Sequence, residues 1–252
     1  MSLLNLSGLL DKNDLAGAVA GYDRLLTGGT LPSWARAEAF AGKARALVGL
    51  GDQAGGLAAM AEAVKAGFDC YPVFRDSPHF KGLHGDPKYR EIYSRMRVSP
   101  ADDREAGRLF GEIRAVSQDT TTMIQENMGR NDGDWTQVPQ VPIPDRPTRS
   151  ATVTLLREVL RITQLQQKRM VAESDRSRIS HRTMMGGIAN WPGSRSDNPI
   201  VQDRRDQNRQ ADANRDRQIA QQRYEQRLAQ VRQRQYVPAG GDANPVPVPP
   251  LS

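Results

Sequence analysis

Small and apolar residues recur at helical spacing through the first hundred residues. After Asn13-Asp14, which read as a turn, Ala18, Tyr22 and Leu25 fall at i, i+4 and i+7, one face of a helix. Phe40, Ala44 and Leu47 line one face of a second segment, with Ser33 expected as its N-cap. Gly56, Met60 and Ala63 repeat the spacing after Gly51-Asp52, read as a turn and N-cap. Two short helices with small residues facing each other can approach closely and form a helical hairpin. The offset from Ala18 to Gly56 is 38 residues, and helical repeats have periods of about 34 to 47 residues.

On these residues the chain resembles the tetratricopeptide repeat family. The first helix of that pattern carries an aromatic, a small and an apolar residue, matched by Phe40, Ala44 and Leu47. The second carries small–aromatic–small, matched by Gly56, Met60 and Ala63, or by Ala18, Tyr22 and Leu25 in the earlier copy. Three departures stand out: Lys43 sits where the pattern wants Leu, Met60 replaces the aromatic, and the loop around Thr27–Pro32 is long. The resemblance covers about residues 1–97 and implies a helical-repeat domain whose concave face binds a protein segment. Tyr22, Arg24, Arg36, Lys43 and Arg45 are the candidates for that face, and each also reads as a core or ordinary exposed residue.

The segment from Gly67 holds two versions of an Asp-Pro-aromatic pattern. Asp76 or Ser77, and Asp86, are the expected caps, and Pro78 and Pro87 suit first helical positions, where a missing N–H costs nothing. Phe80, Leu83, Tyr89, Ile92 and Tyr93 would pack back and close the array, since fewer than about three repeats rarely stand alone.

Further on, Ser99, Pro100, Asp102 and Asp103 signal a helix start, and Leu109, Ile113 and Val116 make its apolar stripe. This amphipathic helix is expected over 98–130, packed on the repeat domain, with a break near Gln118–Thr122. Residues 131–149 read as a Pro-rich linker. An amphipathic helix is expected over 150–182, where Leu155, Val159 and Ile162 form one row beside Leu156 and Leu160. That wide stripe must be covered, either by the repeat domain or by a partner or second copy. A Gly/Pro linker at 183–202 leads to an Arg/Gln-rich helix at 203–236, with Ala220, Tyr224, Leu228 and Val231 as the thin stripe of a coiled coil. Residues 237–252 read as a disordered Pro-rich tail. The expected fold class is all-α: a short repeat-like hairpin array followed by linker-separated extended helices, which in a monomer would hold only fluctuating helix.

Composition agrees with a small core carrying solvated helices: of 252 residues 38% are hydrophobic and 6% aromatic, and mean hydropathy is −0.63. The one cysteine, Cys70, excludes an internal disulfide. The first residues lack a basic region followed by an unbroken apolar run, so no signal peptide is read. No run approaches about 18 apolar residues, so no membrane association is expected and cytoplasm is the default compartment.

Charge is unevenly distributed. Residues 149–236 hold 18 cationic side chains against 9 anionic ones, and all the cations but Lys168 are Arg. Arg217, Arg223, Arg227, Arg232 and Arg234 could track a nucleic-acid backbone. Upstream, Asp203, Asp206, Asp212 and Asp216 interleave with Arg, a pattern more typical of a solvated, ion-pair-laced helix.

The chain carries no phosphate-binding loop, CxxC, HExxH or nucleophile elbow. His79 and His84 lie near Cys70, Asp76 and Asp86 without zinc-ligand spacing, so no metal or cofactor is expected. Cys70 reads as a buried structural thiol. The expectation is a non-enzymatic adaptor or assembly component that binds protein partners or itself. The alternative is a nucleic-acid-associated protein using the Arg-rich helix.

Overall fold

The computed structural model describes residues 3–128, 138–143, 147–189, 199–234 and 244–251. Among them the fold is all-α, with one two-stranded ladder. The helices are α1 (Leu3–Asp11), α2 (Leu15–Thr27), α3 (Ser33–Gly49), α4 (Gln53–Lys65), α5 (Tyr71–Asp76), α6 (Pro78–Lys81), α7 (Pro87–Ser94), α8 (Pro100–Met128), α9 (Ala151–Ala189) and α10 (Pro199–Gln233). The ladder joins β1 (Arg97–Val98) to β2 (Val246–Pro247). The chain forms two compact units: residues 1–109, 145–158 and 238–252 in the first, and 110–144 and 159–237 in the second.

In the first unit, α1–α2 and α3–α4 are joined by the same local device. At the end of α1, Asn13 adopts a left-handed φ of 60°, and the Asp14 amide reaches back to the Leu9 carbonyl at 2.9 Å. At the end of α3, Gly51 has φ 88° and the Asp52 amide bonds the Leu47 carbonyl at 3.0 Å. Both are helix stops that satisfy terminal carbonyls through a left-handed residue. The next residue then caps the following helix: Asp14 accepts from the Gly17 amide at 3.0 Å, and Asp52 from the Gly55 amide at 2.8 Å. Asp-x-Ala-Gly thus starts α2 and α4 alike. Ser33, by contrast, is the first residue of α3, and Pro32 holds the cap position without a side-chain bond.

Helix α3 packs against both α2 and α4. Alanines serve this sandwich: Ala35, Ala37, Ala39, Ala41, Ala44 and Ala46 are all buried. One close approach is at Gly42, where an added Cβ would lie 2.3 Å from the Tyr22 ring and hydroxyl. Gly42→Val should therefore lower stability by about 2–3 kcal/mol by overpacking. Urea unfolding of the full chain checks this, and a loss below about 0.5 kcal/mol would mean that α2 and α3 are not in contact there.

Beyond α4 an aromatic chain closes the array. Phe68, Phe74, Phe80, Tyr89 and Tyr93 are buried, with successive ring centroids 5.0, 5.1, 6.0 and 6.3 Å apart. The Tyr89 hydroxyl donates to the Phe74 carbonyl at 2.7 Å, so this polar tip is satisfied inside the core. Asp86 caps α7, accepting from the Lys88 amide at 2.7 Å.

Other parts of the chain also depart from expectation or add to it. Helix α8 runs unbroken through Gln118–Thr122, where Thr120, Thr121 and Thr122 turn their hydroxyls onto the carbonyls of Val116, Ser117 and Gln118, one turn back. Of the Pro-rich linker, residues 138–143 and 147–149 are described, and in the second unit Val138 is buried with Met123 and Val171, and Val141 with Val231. Within the expected Pro-rich tail, Val246–Pro247 pairs with β1 and Val248 is buried, while residues 237–243 lie outside the described residues. Helix α9 also continues to Ala189, past the expected end near 182. The Trp191–Asn198 part of the expected second linker lies outside the described residues.

Candidate functional site

A cleft of about 390 Å³ opens across α2, α3 and α4. Helical spacing builds it: Val19 and Asp23 are one turn apart on α2, Phe40, Lys43 and Leu47 lie along one face of α3, and Ala58, Ala59 and Glu62 follow on α4. Apolar atoms of Val19, Phe40, Leu47 and the two alanines make the floor. Asp23, Lys43, Asp52 and Glu62 supply the charged positions. Lys43 Nζ lies 2.6 Å from Asp23 Oδ1. Glu62 is also met by Lys65, whose Nζ lies 3.6 Å from its Oε1, so three carboxylates face two ammonium groups and the cleft is acidic by one charge. Its lining is apolar surface with three carboxylates and one ammonium, and no histidine, cysteine or hydroxyl side chain is among the lining residues.

Of the five candidates for a binding face, only Lys43 lies in the cleft. Tyr22 is a core residue at 3% exposure, its hydroxyl pKa pushed up to about 12 by burial, against the pull of the Arg45 guanidinium. Arg45 is half-buried, and its Nε is covered without a hydrogen-bond partner among the described residues. Arg24 is exposed and folds its Nε back onto the Ala20 carbonyl at 3.2 Å, while Arg36 is exposed on α3. Sequence reasoning missed Asp23, Asp52 and Glu62, and nominated Asp52 only as a cap. The signal lay in Lys43, which stands where an apolar residue is expected between Phe40 and Leu47, but nothing local pointed from it to Asp23 or Glu62.

In the α9 stripe, Leu156 and Leu160 are buried, and Leu155, Val159 and Ile162 are half-buried. The start of α9 belongs to the first unit and is tied there by polar contacts. Ser150 Oγ accepts from the Val153 amide at 3.0 Å as a helix cap. Asp69 Oδ1 accepts from both the amide and the hydroxyl of Thr152, at 3.0 and 2.7 Å. These bonds satisfy N–H groups that a helix start otherwise leaves open. Asp69 also faces Glu38, whose carboxyl is pushed up to about 8 by burial first and by the Asp69 charge second. The adjoining Cys70 thiol is pushed up to about 12, mainly by burial and then by Glu38 and Asp69. A thiol so disfavoured as thiolate is inert as a nucleophile.

In the second unit, Arg234 Nη2 contacts Asp119 Oδ2 at 2.7 Å. Arg223 and Arg227 are half-buried and engaged with neighbours, whereas Arg217 and Arg232 are exposed. The described Arg side chains thus do not form one uniform exposed row. Among the described residues, no three potential ligand side chains gather as a metal site, and no helix is long and apolar enough to cross a membrane.

No protein-family model matches the chain, and neither do the curated proteins or the solved structures.

Proposed function

We propose that this chain is a non-enzymatic adaptor that holds a segment of another protein in the cleft on α2, α3 and α4. The observation that carries the reading is the cleft itself: an apolar floor under a net acidic rim. It suits an aliphatic or aromatic side chain with a Lys or Arg about a turn away, the apolar group covering Phe40 and Leu47 and the cation meeting Asp52 or Glu62. The two hairpins, α1–α2 and α3–α4, whose second helices share an Asp-x-Ala-Gly start 38 residues apart, support the likeness to tetratricopeptide repeats. The long helices α9 and α10 serve as the part that meets other members of an assembly.

Panning a random peptide library against the full-length chain tests the reading. Enriched peptides should pair an apolar residue with a nearby Lys or Arg. Ala58→Arg, at an exposed position beside the floor, should weaken them about tenfold or more, the scale of a lost central contact. Helicity and unfolding midpoint should stay unchanged. Peptides indifferent to both Ala58→Arg and Glu62→Lys would place the binding surface elsewhere.

A further inference from the structure

The ladder between β1 and β2 has the form of a receptor with its ligand in place. Strand β1 follows α7 and has contacts besides those with β2. The Tyr93 ring stacks on Tyr89 at 6.3 Å and 12°. The Arg97 guanidinium turns back to donate to the carbonyls of Ser94 and Met96 at 2.7 and 2.8 Å. Against this edge lies an extended segment from 149 residues downstream, antiparallel, with Arg97 opposite Pro247 and Val98 opposite Val246. Past the ladder, Val248 enters the core cluster that holds Tyr93, Val98 and Ala151, and Leu251 packs on the same cluster. Tyr93 Oη donates to the Pro249 carbonyl at 3.0 Å.

The segment reads Val246-Pro247-Val248-Pro249-Pro250-Leu251. Each Pro fixes its own φ and pushes the residue before it into extended backbone. The peptide is therefore extended before it arrives, and little chain entropy is lost on seating it. Pro247 sits on an edge, where its missing N–H interrupts no further ladder. Recognition is by one inserted aliphatic side chain, one carbonyl on a tyrosine hydroxyl and a short strand addition. That is the chemistry by which sheet edges and aromatic grooves take extended Pro-rich peptides. The ladder spans two residue pairs, so backbone pairing alone contributes little to holding the segment.

We propose that the edge formed by Tyr93, Arg97 and Val98 is a binding site for extended segments of the type aliphatic-Pro-aliphatic-Pro-Pro, with residues 246–251 as its resident ligand in cis. A Pro-rich segment of another protein reaches the site by displacing that ligand. This site is separate from the cleft, and its failure would leave the cleft reading untouched.

The probe is a fluorescent peptide of residues 244–251, titrated into the full-length chain by polarisation. The unaltered chain should bind it weakly, because the cis segment competes at high effective concentration. Val248→Asp in the chain should release that segment and raise peptide affinity at least tenfold. Since Val248→Asp touches the core, a second variant replaces the exposed Pro247, Pro249 and Pro250 with Gly; it should also raise affinity, with helicity unchanged. Tyr93→Phe on either background should weaken the peptide several-fold, and a peptide carrying Val248→Asp should not bind. Absence of peptide binding to both folded variants, or binding indifferent to Tyr93→Phe, would overturn the assignment.

Discussion

Replacing Arg157 with leucine is expected to destabilise the folded chain by about 3–5 kcal/mol, the usual cost of leaving a buried charge without its main partner. Glu105 is fully buried. Its Oε1 accepts from Arg157 Nε at 2.9 Å and also from Nη2. Both residues belong to the first unit, so the pair ties the start of α9 to α8 within that unit. Burying two ions is itself costly, and an apolar pair of similar volume is often as stable as the ion pair it replaces. The double variant Glu105→Met/Arg157→Leu should therefore recover most of the loss. Denaturant unfolding of the three full-length variants checks both halves. A single-variant loss under about 1 kcal/mol would mean that other neighbours carry the Glu105 charge. An equally damaged double variant would mean that the packing of Arg157, not its charge, matters.

Stability should also fall as pH rises from 4.5 to about 8, and Glu38→Gln should abolish most of that fall. The sign follows from linkage. The folded-state pKa of Glu38 is raised from 4.5 to about 8, so at intermediate pH the folded chain holds a proton that the unfolded chain has lost. The favourable term is whole below 4.5, shrinks through the interval and is gone above about 8. Taken in full the shift would be near 5 kcal/mol; because Glu38 remains partly accessible, about 2–4 kcal/mol is the expected size. The groups facing it are Asp69 and Cys70, with Thr152 bonded to Asp69. The Cys70 thiol stays protonated throughout this range. Unfolding midpoints at pH 5, 6.5 and 8 decide the matter: parallel profiles for the unaltered chain and Glu38→Gln would show that Glu38 ionises freely.

These two sites differ in how far sequence could reach them. Glu38 sits in an Ala-rich helix whose periodicity is plain, yet nothing local reveals that its neighbour is Asp69. The role of Asp69 depends on Thr152, 83 residues on. Asp86 was readable as a cap because its partners, the Lys88 and Tyr89 amides, are two and three residues away. Tyr22 illustrates the limit from the other side. Its spacing marked it correctly as part of a helix face, but whether that face meets a partner or α3 is decided by Gly42, the only kind of residue that leaves room for the ring.

The sequence alone determined the all-α class, the turn at Asn13-Asp14, the helix starts at Asp52 and Asp86, the turn at Gly51 and the pairing of small faces. These are set within about one helical turn, by capping, φ restrictions and side-chain periodicity. Only the tertiary structure decided that Thr152 docks on Asp69, that Arg157 meets Glu105, that Val246–Pro247 lies on Arg97–Val98 and that the cleft is acidic. Each joins groups that no local rule connects, because burial and ion pairing depend on which surfaces the folded chain brings together, not on how far apart they lie in sequence.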